Sequence, residues 1–318
     1  MSKRLLLHTG MPKTGTSAFQ NIMAMHKYAQ IDYPLLFRSG KIAHHELAYK
    51  LLHQGELSQD NALKSLKCYL DDHAALETIL FSSESLIGLF GTKTWPVTEA
   101  ISDLAAEHGY QLEIHLILRR MADFLEAMYL QSHRFGRLKM AFRDYIKSRC
   151  PWIDSLFQSV KRLACVKDLQ LFTVFYHSGF DTNQYFEDVL GLPSGSLTGA
   201  SSKLRPSSRF GMNGEILLAN IDIFNEEYSC QLRRPQVIHA LETRQLFSAD
   251  VFPYTLYDEN TWRNITSFSI QSALQAKFFE YAAAFQGSEY NAYRLTSLGY
   301  DELSRDAKNE VIRTFNLA

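Results

Sequence analysis

The stretch LLLHTGMPKTGTSAFQ, residues 5–20, decides the fold. It opens as an apolar run, breaks into glycine, proline, lysine and hydroxyl residues, and resumes with a helical pattern. An uninterrupted apolar segment reads as a strand buried on both faces, the kind found in parallel sheets. Gly10 and Gly15 stand five apart, in the frame G-x-x-x-x-G of a phosphate-binding loop. A strand that turns through such a loop into a helix offers backbone N–H groups and the positive end of the helix dipole to an anion. Thr14, Thr16 and Ser17 add hydroxyl donors, and Lys13 adds a point charge. In a nucleoside-triphosphate loop the lysine follows the second glycine. Here Thr16 stands at that position and Lys13 lies inside the loop.

Outward from this stretch, strand and helix patterns alternate, which predicts a parallel sheet with helices on its faces. RLLLH (4–8), TILFSS (78–83), LEIHLIL (112–118) and LFTVFYH (171–177) read as strands. Helical patterns follow the loop over roughly 16–30 and recur in HHELAYKLLHQ, NALKSLKCYLDDHAAL, VTEAISDLAAEHG, MADFLEAMYLQSHRFG and TNQYFEDVLGL. After Pro193 the texture changes: SGSLTGASSKLRPSSRFG (194–211) is rich in serine and glycine and reads as a mobile loop. Residues 213–318 are mostly helical in period, apart from the aromatic connection FSADVFPYTLYDENTW. The expected division is an α/β core over 1–195, with the loop and a helical C-terminal region, 196–318, packed on it.

Composition narrows the function classes. Lys and Arg number 33 against 34 Asp and Glu, so no global charge draws the chain to nucleic acid. No apolar run approaches the roughly 18 residues of a membrane span, and MSKRLLLHTG is too short for a signal-peptide core. Cys68, Cys150, Cys165 and Cys230 lie far apart without a C-x-x-C pair, which reads as free thiols in a reducing compartment with no zinc site. The expectation is a cytoplasmic protein with no integral membrane segment.

HTGMPKTGTSAFQ (8–20) resembles the 5′-phosphosulfate loop of the sulfotransferase family, particularly bacterial members that act on carbohydrates or lipids. Pro-Lys-Thr-Gly-Thr places the lysine where that family has it. IHLILRRMADFLEAMYLQ (114–131) resembles the family's 3′-phosphate segment, a strand ending in arginine followed by a helix. YPLLF, AHHEL, ILFSSESL and DTNQYFEDVLGLP follow in the family's order, so the likeness covers about residues 4–193.

The resemblance implies a P-loop-like three-layer α/β fold and the sulfuryl donor 3′-phosphoadenosine 5′-phosphosulfate (PAPS), with no metal. It implies that Pro12, Lys13, Thr14, Gly15, Thr16 and Ser17 hold the 5′-phosphate and that Lys13 touches the oxygen bridging phosphate and sulfate. Charge builds on that oxygen as the S–O bond breaks, so a fixed ammonium there stabilises the transition state. Arg119 matches the arginine on the 3′-phosphate. The family's serine eight residues further on is Ala127 here, a lost hydroxyl donor; Arg120, or Ser208 and Arg209 of SSRFG, are the candidates to replace it.

The acceptor hydroxyl must lose a proton as it attacks sulfur, which calls for a general base. Glu84 follows a buried strand, where ligands gather in parallel sheets, and is the first candidate. A glutamate there also suits a helix first turn behind a Ser82 or Ser83 cap. His45 is the second candidate base. Its neighbour His44 reads as a packing residue, and His8 as support beneath the loop. Arg134, Arg137, Lys139, Arg143, Lys147 and Arg149 read either as a solvated basic face or as a surface for an anionic acceptor. Two rivals stand beside the sulfotransferase reading. A P-loop kinase needs a metal-binding acid at a strand end, where this chain shows Ser82-Ser83-Glu84 and Arg119-Arg120. The other rival is a non-catalytic nucleotide- or anion-binding protein of the same fold, to which Ala127 gives weight.

Overall fold

The computed structural model describes residues 3–11, 14–38, 42–52, 55–90, 95–138, 140–176, 180–197, 210–243, 245–247, 254–288, 294–295, 298 and 300–317. Pro12, Lys13, Lys139, Ser208, Arg209 and positions 198–207 of the Ser/Gly-rich segment lie outside the described residues. In chain order the elements begin with β1 (Lys3–Gly10), α1 (Thr16–Met25), β2 (Ile31–Asp32), α2 (His45–Leu52), α3 (Glu56–Asp72), β3 (Thr78–Ser82) and a 3-10 turn at Glu84–Phe90. Then come α4 (Trp95–Glu107), β4 (Tyr110–Arg119), α5 (Met121–Arg134), α6 (Phe142–Leu163), β5 (Leu169–Tyr176) and α7 (Thr182–Leu190). The C-terminal part holds α8 (Met212–Ala219), α9 (Ile221–Glu227), α10 (Arg234–Glu242), β6 (Tyr254–Thr255), α11 (Glu259–Gln275), α12 (Phe279–Phe285), β7 (Arg294–Leu295) and α13 (Arg305–Phe315).

The chain forms two compact units. The first comprises residues 1–120, 151–206 and 269–286, and the second 121–150, 207–268 and 287–318. The first unit is an α/β layer structure around a parallel sheet of order β2-β3-β1-β4-β5. β1 sits at its centre, paired with β3 from Arg4↔Thr78 to His8↔Ser82 and with β4 from Lys3↔Tyr110 to Gly10↔Ile117. A central strand covered on both faces has no polar side, and Leu5, Leu6 and Leu7 are accordingly buried.

Alternation sends Leu6 to the face covered by α1 and α7, where it joins Phe19, Ile22, Met23, Leu80, Phe186 and Leu190. Phe19 and Phe186 stack at 3.9 Å there, and each such ring removed from water contributes roughly 1.5–3 kcal/mol. The opposite face carries α3, whose Tyr69 ring lies 6.4 Å from Phe81 of β3. α7 starts on a strong cap: the Asp181 side chain accepts from the backbone N–H groups of Asn183 at 2.8 Å and Gln184 at 3.2 Å. It ends on Gly191 in the left-handed region, and buried Glu187 then accepts from the N–H groups of Gly195 and Leu197.

Four of the expected strands are present with nearly the expected limits. The first helix ends at Met25 rather than near 30, because His26 turns extended at φ −113° and ψ 144°. β2 has no apolar run to announce it, and α6 carries Pro151 inside a segment read from sequence only as a basic face.

In the second unit, Arg134 of α5 forms a 2.5 Å ion pair with Glu215 of α8 and lies 4.0 Å over the Phe210 ring. It is therefore not part of a solvated basic face; exposed Arg137, Arg143, Lys147 and Arg149 are its surface portion. Glu126 of α5 accepts from the Thr255 hydroxyl and the Leu256 N–H beside β6, which pairs with β7. Among the described residues no helix is long and apolar enough to cross a membrane.

Candidate active site

The loop after β1 is shaped by two close approaches. Met11 donates its N–H to Ile117 O at 2.9 Å, holding the chain against β4 as it leaves the sheet. A side chain on Gly10 would meet Ile117 O at 3.1 Å, so glycine is needed where β1 and β4 run together. Gly15 has φ 80°, the left-handed region, and caps α1. The Thr14 hydroxyl donates inward to Met11 O at 2.9 Å and so closes the loop, while the Thr182 hydroxyl of α7 donates to Thr14 O at 2.7 Å.

α1 then presents its first turn at the C-terminal edge of the sheet. It has no acidic residue in that turn to compete with a bound anion, and its leading N–H groups precede the i→i−4 ladder. Gly15 and Ser17 are exposed while Thr16 is buried. The first turn of α1 and the exposed Ser17 hydroxyl are the donors this loop can offer an anionic group. The Thr16 hydroxyl points elsewhere: it donates to Glu84 Oε1.

Glu84 begins the 3-10 turn two residues beyond β3, so the parallel pairing of β1 and β3 carries it to the loop. Gln20 of α1 approaches its other oxygen, Nε2 to Oε2, at 3.4 Å. His45, the first residue of α2, places Nδ1 2.7 Å from Ser83 Oγ, next to Glu84 in the chain. The two candidate bases therefore flank one buried serine.

The other two histidines are structural in their surroundings. His44 Nδ1 accepts the Ser82 N–H at 3.0 Å, so Nε2 carries the proton and donates to Pro34 O at 2.9 Å. Burial lowers its pKa to about 4. His8 Nδ1 lies 2.7 Å from Ser82 Oγ; burial, with His115 adding to it, lowers its pKa to about 3. Both rings stay neutral near pH 7 and hold β1, β3 and the start of α2 together.

Arg119 ends β4 opposite Tyr176, which ends β5, and its guanidinium lies 5.8 Å from the Tyr176 ring. Tyr176 lines an open pocket of about 420 Å³ with Gly15, Ala18, Phe180, Asp181, Thr182 and Asn183. One pocket thus has the loop glycine on one wall and, on the other, the aromatic ring beneath Arg119. Arg120 follows at the end of the strand and is partly buried, as is Ala127 of α5.

Sequence reasoning missed Gln20, Tyr176 and Thr182. Gln20 is a polar residue inside the apolar face of α1, a signal readable from sequence; Tyr176 and Thr182 carry none until β5 and α7 are in place.

A parallel sheet of order β2-β3-β1-β4-β5 with a glycine-framed loop between β1 and α1 defines the class: an α/β protein with a P-loop-like fold. No family model and no curated protein matches the chain. Among solved structures it is similar to a sulfotransferase from Alicyclobacillus acidocaldarius, at 14% identity over 83% of this chain and 100% of that one, with a TM-score of 0.40. It is also similar to the mouse sulfotransferase SULT7A1 complexed with PAP, at 12% identity over 89% of each chain, TM-score 0.42. A chain of the PezAT toxin–antitoxin system of Streptococcus pneumoniae follows at 16% identity over 71% of this chain and 87% of that one, TM-score 0.32. Likeness at this level carries no activity with it.

Proposed function

We propose that the chain is a PAPS-dependent sulfotransferase that moves a sulfuryl group to a hydroxyl or amine of a glycan, lipid or small molecule. The observation that carries this reading is the pocket lined by Gly15 of the loop and by Tyr176, whose ring lies 5.8 Å from the Arg119 guanidinium. A nucleotide with phosphates at both ends of its ribose needs two separated anion sites and an aromatic wall between them. Tyr176 and Phe180 supply the aromatic wall, with Gly15 of the loop on one side and Arg119 beside the Tyr176 ring on the other. The sequence resemblance supplies the rest: Lys13, outside the described residues, is assigned to the bridging oxygen.

In this reading the backbone of residues 14–17 and Ser17 hold the 5′-phosphate, and Arg119 the 3′-phosphate. Arg209 is the proposed second cation. Glu84 takes the proton from the acceptor hydroxyl as the new O–S bond forms. The S–O bond to the phosphate breaks, and its electron pair departs on the oxygen beside Lys13. His45 stands by as the second candidate base.

A second reading has one observation in its favour. A loop hydroxyl meeting a carboxylate from the neighbouring strand, as Thr16 meets Glu84, is also how a metal–nucleotide loop is arranged. A thermal melt separates the two. PAP without metal is expected to stabilise the protein, by about 2.7 kcal/mol at 100 times its dissociation constant, and Mg-ATP by much less. Equal or larger stabilisation by Mg-ATP overturns the sulfotransferase reading.

A further inference from the structure

We infer that Gln20 is a positioning residue that holds the Glu84 carboxylate at the mouth of the loop, which rests on Glu84 being the base of the proposed reaction. Gln20 lies one turn along α1 from Thr16, on the same face of the helix. It is only 2% exposed, among the apolar side chains Phe19, Ile22 and Met23. An amide buried there is costly unless its hydrogens are used. Both are: Nε2 lies 3.1 Å from Ser82 Oγ and 3.4 Å from Glu84 Oε2.

The Glu84 carboxylate is thereby gripped at both oxygens from one helix, Oε1 by Thr16 and Oε2 by Gln20. That fixes both its position and its rotation. Ser82 is itself held by His8, so the grip continues into the central strand. Any shift of the α1 N-terminus on anion binding is passed directly to the base.

The charged and titratable groups around Glu84 come from several elements. His8 reaches it through Ser82 from β1, and His45 adjoins through Ser83 from α2. His44 packs on the Ser82 backbone, and Tyr33, whose phenol feels the Glu84 charge, lies under Arg38. None of these replaces the Gln20 amide on Oε2.

The test is Gln20→Met, which keeps the packing and removes the donor. PAP is expected to stabilise variant and wild type alike. The kcat for PAPS hydrolysis, with water as acceptor, is expected to fall roughly tenfold with KM for PAPS unchanged, as for loss of a hydrogen bond to a charged group. In crystals of the variant the Glu84 carboxylate is expected to leave Thr16. An unchanged kcat, or Glu84 unmoved in those crystals, overturns the inference. So does a variant that loses PAP binding and turnover together, since that marks a purely structural glutamine. If PAP fails to stabilise even the wild type, the sulfotransferase reading falls, and the position of Glu84 in the variant crystals still decides the role of Gln20.

Discussion

Thr182 stands against Gly15: a Cβ on Gly15 would lie 3.0 Å from the Thr182 hydroxyl oxygen that donates to Thr14 O. With φ at 80°, an alanine there also enters the left-handed region at a cost of about 1–2 kcal/mol. Gly15→Ala is therefore expected to lower unfolding stability by at least that amount and to weaken PAP stabilisation, because the loop must move. Chemical denaturation and PAP melts check both, and a neutral substitution would refute this account of the loop.

Acid should unfold this protein early. His44 and His8 have folded pKa values of about 4 and about 3, below the unfolded value of 6.5, so the unfolded chain binds more protons. Their contribution is fully present above about pH 6.5 and is lost as pH falls towards the folded values. For His44 alone the loss reaches roughly 3 kcal/mol by pH 4. Urea unfolding across that range measures it, and His44→Gln is expected to flatten the slope while lowering stability at pH 7.

Arg134→Met is expected to destabilise the chain by about 3–5 kcal/mol, because it leaves a buried carboxylate without its cation. Glu215, that carboxylate, is 2% exposed. The double variant Arg134→Met/Glu215→Leu is expected to recover much of the loss. A single variant as stable as wild type would contradict the ion pair.

Arg119→Ala is expected to weaken PAP by about ten- to a hundredfold, the scale of a hydrogen bond to a charged group. AMP, which lacks the 3′-phosphate, is expected to change little. Calorimetry with both nucleotides decides this, and equal weakening of both would remove Arg119 from the 3′ end.

Turnover tests the chemistry. Lys13→Ala is expected to reduce it by about two to three orders of magnitude, the scale of losing one key electrostatic group. Glu84→Gln is expected to spare PAP binding and lower turnover by about 10²–10⁴-fold. A fully active Glu84→Gln enzyme would pass the base role to His45.

Much of the fold was legible in residues 4–193. Apolar runs announce strands, so β1, β3, β4 and β5 were readable, as was α7 in TNQYFEDVLGL. β2 was not, because two residues become a strand only by pairing with β3. α6 was hidden by Pro151 and by a basic run that drew the eye to its surface.

The site divides the same way. The glycine frame and the order of loop, Glu84 and Arg119 are local facts, set by residue type and spacing, and the sequence determined them by itself. What each side chain touches was decided only by the tertiary structure. Thr16 was read as a donor to an anion, yet its hydroxyl goes to Glu84, 68 residues away. Arg134 was read as surface until Glu215, 81 residues on, arrived beside it. Hydrogen bonds and ion pairs act over about 3 Å, and only parallel strand pairing and helix packing bring such distant residues that close.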